Sequence, residues 1–297
     1  MYLAVDIGGT KTLLACFDDK GKLLDTVKFP TPTDYKDFLT DFKHYLQFLK
    51  VVNYQAAGVA VPGKLDRKHG RAVAYGNLLW PVVAIEADIE NIVGCPVVIE
   101  NDSKLAGLSE ALLIIKEFKN VLYITIGTGI SSAIIMNGTI DPAMADSEGG
   151  QLWLDFRGKR VQWEDIVSGK AIVKRFGKRA SEIEDKATWQ QIADDIAQGL
   201  IQLIVVIQPE VIVLGGGVVT NYDEFDDLLK NSLKRYEMPL TPIPPIRKAK
   251  RPEEAVIYGA YEIARQRFGH DIKNKHALPI QANPTTKSKK QLATKKS

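Results

Sequence analysis

Apolar residues open the chain as two short strand-like runs, 2–7 and 11–17, separated by Gly8-Gly9. Asp18-Asp19-Lys20-Gly21 then reads as a hairpin turn, with a further strand from about residue 22. The pattern changes to a helical period over 34–50, where Phe38, Phe42, Tyr45, Leu46 and Leu49 share one face. Ala56–Val61 is a continuous apolar run of the kind a buried strand shows, and Pro62-Gly63 ends it. Val97–Ile99 predicts another short strand, followed by Glu100-Asn101-Asp102 and a helix over Ser103–Ile115. Residues 187–207 predict a long amphipathic helix stopping at Gln208-Pro209. Val211–Leu214 is a strand running into Gly215-Gly216-Gly217, and a last helix covers about 253–268. Strands alternate with helices, so the fold class is α/β.

The opening pattern occurs twice. Val121–Ile126 is a second apolar strand and ends in Gly127-Thr128-Gly129. An offset of 119 residues lays Asp6-Ile7-Gly8 onto Thr125-Ile126-Gly127, and Asn137-Gly138 then falls near Lys20-Gly21. A repeated strand, glycine turn and strand indicates a duplicated α/β unit with two glycine turns facing across a cleft.

Composition narrows the class. At 297 residues the chain can hold two cores, and 45% hydrophobic with 25% charged residues is ordinary for a water-soluble protein. No apolar run is long enough to cross a bilayer, and a strand begins at once where a leader would stand, so a cytoplasmic protein is expected. Cys16 and Cys95, each in an apolar stretch, read as buried thiols of a reducing compartment. The net charge of +3 conceals an uneven distribution: residues 270–297 carry seven lysines and one acid, leaving the body near −3. That tail has no apolar period and reads as disordered and solvated.

The glycine turns carry the first candidate chemistry. A glycine pair lets the backbone approach a bulky anion with its N–H groups free to donate, and Thr10 and Thr12 add hydroxyls. Asp6, just upstream, is placed to hold a hydrated Mg²⁺ beside that anion. A second hydroxyl-bearing turn at Gly127-Thr128-Gly129 supplies donors for the other side of a triphosphate. Gly215–Gly217 would let an adenine or ribose lie against the backbone, although a plain strand–helix turn has the same composition. Asp102 is the candidate general base, since a carboxylate within hydrogen-bond reach takes the proton of a sugar hydroxyl as the bond to phosphorus forms. A helix N-cap at Asp102 or Ser103 is the competing reading. Glu148 and Glu164 are carboxylates suited to accepting from vicinal hydroxyls; a solvated loop and a helix-start charge are the alternatives.

Taken together, these segments resemble the ROK family of sugar kinases and repressors, within the actin-like, hexokinase-like ATPases. The resemblance runs from Asp6 to about Ala264. It rests on Asp6–Thr12, Val61-Pro62-Gly63, Asn77-Leu78-Leu79-Trp80, Glu100-Asn101-Asp102, Gly127-Thr128-Gly129-Ile130, Asn137-Gly138, Ser168-Gly169 and Val213–Val218. It implies two RNase H-like domains flanking a cleft that takes ATP, Mg²⁺ and a hexose. The corresponding ranges are 1–117, with helix 253–268 packing back on it, and 118–252. It implies Asp102 as base and Gly63, Asn77, Asn101, Glu148, Gln151 and Glu164 as sugar contacts. Gly8, Gly9, Thr10, Lys11, Thr12, Gly127, Thr128 and Gly129 become phosphate contacts, and Gly216 and Gly217 the adenosine wall. A homodimer is implied by the resemblance alone.

The departures are specific. Many members hold structural zinc through a cysteine cluster and the histidine of a Gly-Glu-x-Gly-His segment; here no cysteine follows Cys95 and that histidine is Gln151, so zinc is not expected. Ser131-Ser132 stand where many members have further glycines, which would narrow the turn. A repressor needs a DNA-binding helix-turn-helix ahead of the first strand, and Asp6 leaves no room for one. A sugar-binding relative without turnover, and a kinase using polyphosphate, are the remaining alternatives.

Overall fold

The computed structural model describes residues 1–275 apart from 52, 77, 252 and 253, with side chains to residue 269. The first half contains β1 (Tyr2–Ile7), β2 (Lys11–Phe17), β3 (Leu23–Pro30), α1 (Tyr35–Leu46) and β4 (Ala56–Val61). A small hairpin, β5 (Lys64–Asp66) and β6 (Arg71–Ala74), precedes α2 (Ile85–Val93), β7 (Val97–Asn101) and α3 (Asp102–Leu113). The second half repeats the plan with β8 (Asn120–Ile126), β9 (Ile130–Met136) and β10 (Thr139–Ile140). It then inserts β11 (Trp153–Phe156), β12 (Lys159–Gln162), α4 (Glu164–Val167) and α5 (Gly169–Phe176). It closes with α6 (Lys186–Ile207), β13 (Val211–Gly215), α7 (Tyr222–Lys234), β14 (Ile246–Lys248) and α8 (Ala255–Lys275).

The two sheets have the same order, β3-β2-β1-β4-β7 and β10-β9-β8-β13-β14. In each, an antiparallel meander joins parallel strands through helical crossovers. The repeat read from the sequence is therefore real, and the 119-residue offset maps β2 onto β9 residue for residue.

Strand alternation sorts the core into layers. On β1, Leu3, Val5 and Ile7 face an outer core with Phe38, Phe42 and Trp80, while Tyr2 and Ala4 face the middle of the molecule. On β8, Leu122, Ile124 and Ile126 face the outer core around Trp163, Trp189 and Phe225, while Val121 and Tyr123 face the middle. The middle layer is α3 and α8, which pack on each other between the sheets. α8 lies on β4 and β1, and α3 leans on β8 and β9, so each half's last helix serves the other half's sheet. Both contacts need glycine: a Cβ on Gly58 of β4 would stand 1.9 Å from the Ala260 carbonyl oxygen, and one on Gly107 of α3 2.6 Å from the Ala133 Cβ.

Two expectations change. α8 runs Ala255–Lys275, so residues 270–275 are helical rather than part of a disordered tail, the helix continuing past its apolar face through residues with ordinary helix propensity. Residues 276–297 lie outside the described residues. Ser131 and Ser132 belong to β9, paired with Thr125 and Ile124, and so do not form part of the glycine turn.

Candidate active site

Period-two alternation continues past the core. Asp6 follows Tyr2 and Ala4 on the inward side of β1, and Thr125 follows Val121 and Tyr123 on the inward side of β8. The β8 strand end, with Thr125, lines a cavity of about 1010 Å³ between the halves. From the first half it is lined by Gly63, Arg67, Tyr75, Asn101, Asp102 and Lys104. The second half contributes Tyr123, Thr125, Gly127–Ile130, Glu148, Gln151, Glu164 and Gly216.

The corner between β7 and α3 sets the central carboxylate. The helix begins at Asp102, and its N-cap is Asn101, whose Oδ1 accepts from the Ser103 and Lys104 backbone N–H groups and from the Ser103 hydroxyl. The competing cap at Asp102 or Ser103 is thus corrected by one residue: Asn101 has the extended backbone a cap requires. Asn101 Nδ2 donates to the Gly63 carbonyl at 3.1 Å, which ties the corner to the β4–β5 turn. Asp102 is left bonded at Oδ1 to its neighbour's N–H, at 2.7 Å, and faces the cavity. Burial pushes its carboxyl above the usual range, against the Ser103 N–H and the Lys104 charge, which pull it down.

Asp6 pairs across the sheet with Ala60, which pairs with Glu100, so the row leads directly to the β7 corner. Burial, reinforced by the Asp102 charge, raises the Asp6 carboxyl to about 7. The first glycine turn is closed by Gly8 N–H donating to the Lys11 carbonyl at 3.0 Å. Thr12 does not offer its hydroxyl to a ligand: it is fully buried and shares a 2.9 Å hydrogen bond with Thr31, whose hydroxyl donates to the Gly8 carbonyl. Of the residues expected around phosphate, Asp6, Gly8, Gly9, Thr10, Lys11 and Thr12 stand outside the cavity lining, as does Gly217. Asn77 lies outside the described residues.

The second turn is built into the cavity wall. Gly127 N–H donates to the Gly129 carbonyl at 2.9 Å, and Gly169 N–H, at the start of α5, to the Gly127 carbonyl at 2.7 Å. Gly216 has φ +90°, and a Cβ there would strike the backbone of Ile126, so the glycine wall after β13 lies directly on the end of β8. Glu164 opens α4 and reaches this turn, its Oε2 accepting from the Ile130 N–H at 3.4 Å. The preceding Trp163 anchors it: the indole is fully buried against Gly199 and donates to the Asp195 carbonyl at 3.0 Å.

Glu148 and Gln151 come from the loop after β10. Burial raises the Glu148 carboxyl, Lys104 opposes this, and the Asp102, Glu164 and Asp146 charges add to it. Several acids therefore converge on one space, an arrangement suited to hydroxyl donors. Sequence reasoning missed Lys104, Arg67, Tyr123 and Thr125. Lys104 had a signal, a charge followed by Leu105-Ala106-Gly107-Leu108 in a helix that buries nearly every residue. Arg67 had none, because its partners Glu100 and Asp146 are 33 and 79 residues away.

Among the described residues no helix is long and apolar enough to cross a membrane. The chain is 30% identical over 242 residues to a fructokinase of Zymomonas mobilis, covering 74% of this chain and 80% of that one. It is 25% identical over 310 residues to a glucokinase of Streptomyces coelicolor, covering 90% and 98%. The solved structure of a ROK hexokinase from Thermus thermophilus superposes with a TM-score of 0.76 at 26% identity, over 92% of this chain and 99% of that one. Residues 2–267 match the ROK family, and with its two like-ordered sheets closing on a shared cleft the chain belongs to that family.

Proposed function

We propose that the protein transfers the terminal phosphoryl group of ATP to a hydroxyl of a hexose or hexose derivative, with Asp102 as the general base. The carrying observation is the division of labour at the β7–α3 corner: Asn101 takes the cap, which leaves the buried Asp102 carboxylate facing the cavity. A carboxyl raised above its usual range is a better proton acceptor at neutral pH. In the step itself, the sugar oxygen bonds to the terminal phosphorus and its proton passes to Asp102. The bond from that phosphorus to the bridging oxygen breaks, and ADP leaves with the electron pair. Backbone N–H groups around Gly127–Gly129 and hydroxyls of Thr128 and Thr125 favour the phosphate side of the cavity, with Gly216 supporting a nucleoside beyond it. Glu148, Glu164 and Gln151 supply acceptors and donors for the remaining sugar hydroxyls.

The residues present fit Mg²⁺. Asp6 is a partly buried carboxyl beside a second one, a setting that gains from a cation, and the Lys28 charge offsets only part of the rise. No group of three ligating side chains stands together among the described residues, so the ion would be held by Asp6 through water and by phosphate oxygens. When bound, it would neutralise charge on the phosphate chain. Zinc has no role in this reading: Cys16 and Cys95 are buried thiols held in their neutral form by desolvation.

A polyphosphate donor is the second reading, favoured by Lys170 and Lys174, one helical turn apart on α5 and both lining the cavity near the second glycine turn. The test is a panel of hexoses, ketohexoses and amino-hexoses with Mg²⁺ and either ATP or polyphosphate. Product phosphate ester with ATP supports the first reading, ester with polyphosphate alone supports the second, and none with either donor rejects both.

A further inference from the structure

Lys104 lies in the first turn of α3, two residues after the proposed base, and is only 1% exposed. Burying an ammonium costs several kcal/mol unless its donors are directed. Here they are directed across the cleft. Nζ donates to the Ser132 carbonyl at 2.5 Å and to the Ser147 carbonyl at 2.6 Å, and stands 3.8 Å from Glu148 Oε1. Ser132 binds the same loop a second time, since its hydroxyl accepts from the Gly149 N–H at 3.0 Å. Arg67 holds the two preceding residues. It donates to Asp146 at 2.5 Å and to the Ala145 carbonyl at 3.2 Å, while its other edge forms a two-pronged pair with Glu100 at 2.6 and 2.8 Å. Glu100 Oε1 in turn accepts from the Asn101 N–H at 2.7 Å. Residues 145–148 are a second-half loop gripped by two cations of the first half, and both cations also reach the corner that carries Asp102.

We propose that Lys104 is a positioning residue: its buried ammonium clasps loop 145–148 to the catalytic corner, places Glu148 against the sugar, and makes tight acceptor binding depend on the two halves being closed. This use of Glu148 rests on the kinase reading above. The clasp itself rests only on the hydrogen bonds. A neutral side chain of equal length would leave the Ser132 and Ser147 carbonyls without their donor and release the loop. Arg67 grips the adjoining residues independently, so the rest of the cleft should stay intact.

The test compares wild type with Lys104→Met and Lys104→Arg. In Lys104→Met the KM for the best sugar is expected to rise about 10- to 100-fold, with the KM for ATP nearly unchanged and kcat falling less. Lys104→Arg should recover part of the sugar affinity, because it restores charge and donors. Hydrogen exchange on the unliganded full chain is the second measurement, and amides of residues 141–151 should exchange about tenfold faster in Lys104→Met. Exchange elsewhere should match wild type, which separates a loosened clasp from a failure to fold. If Lys104→Met does not fold, Lys104→Gln, which is shorter and uncharged but keeps a donor, reads the same clasp by the same two measurements. An unchanged sugar KM together with unchanged exchange over 141–151 would overturn the proposal. If wild type turns over no sugar at all, the kinase reading falls while the exchange measurement still decides the clasp.

Discussion

The two halves share one topology and do different work. At matched positions the first half has Asp6 where the second has Thr125, so an ionisable strand end corresponds to one that cannot ionise. The first half's third parallel-type strand, β7, leads into Asp102, whereas β14 leads to Ala255 and Val256 at the start of α8, also on the cavity wall. The glycine turns diverge as well: the first is tightened from behind by Thr12 and Thr31, and the second opens to the cavity and is flanked by Glu164. Each half also spends its insertion differently. The first adds the short β5–β6 hairpin with Arg67, and the second adds the longer segment bearing Glu148, Gln151 and Glu164. A duplicated scaffold thus supplies symmetry of shape, and substitutions at strand ends supply asymmetry of charge. On the proposed reading, chemistry would gather on the first half and recognition on the second.

The sharpest way to break that assignment is Asp102→Asn. The amide keeps the shape of the corner, since Asn101 makes the cap, but cannot accept the proton. Measured by coupled ADP release, kcat is expected to fall about 10²–10⁴-fold with sugar affinity nearly retained. The matched probe on the other half is Thr125→Val, whose effect on kcat should stay within about tenfold, since no proton is transferred there. Comparable losses in the two variants would erase the division between the halves.

A second contrast concerns packing. The two close helix–sheet contacts use glycine on opposite partners: Gly58 sits in the first sheet against α8, and Gly107 sits in α3 against the second sheet. Gly58→Ala would drive a methyl into the Ala260 backbone carbonyl and should destabilise by about 3 kcal/mol, whereas Gly107→Ala meets side-chain atoms and should cost about 1–2 kcal/mol. Chemical denaturation of the two variants measures the order, and Gly107→Ala proving the worse would mean that the second-half contact is the more rigid.

The scaffold was open to sequence reading because its signals are local and repeated. Alternating residues on the strands, the glycine pairs and the 119-residue echo each report on a few neighbours, and they located the sheets, the second turn and the β7–α3 corner. The cap fell one residue earlier than expected because Asn101 and Asp102 have similar capping chemistry and only backbone geometry distinguishes them. Thr12 misled because a hydroxyl in a glycine turn can serve the turn itself, as its bond to Thr31 does. Arg67 and Lys104 were out of reach for a different reason. Their roles are defined by carbonyls and carboxylates from the other half, and no local pattern encodes a partner tens of residues away.

The last contrast between the halves tests whether Asp6 is strained for function. Its carboxyl is raised to about 7, so the folded chain keeps that proton up to neutrality, while the unfolded chain loses it near 4. Between those values the unfolded state binds fewer protons, so this group makes the protein less stable as pH rises, and the penalty is complete above about 7. Asp6→Asn removes the ionisation. The ligand-free variant should be as stable as wild type near pH 4 and more stable by about 4 kcal/mol at pH 8, while turnover falls. Adding Mg²⁺ with nucleotide should narrow that gap, because a cation beside Asp6 favours its charged form. Activity of the wild type should climb with pH as Asp6, held up by burial and the Asp102 charge, gives up its proton. Thr125→Val, the matched change on the second half, has no proton to lose and should show no such pH dependence. Thermal unfolding across pH decides the point: a stability difference between Asp6→Asn and wild type that does not vary from pH 4 to 8 would mean that the Asp6 carboxyl carries no burial penalty, and that charge asymmetry between the halves is not what the cleft stores.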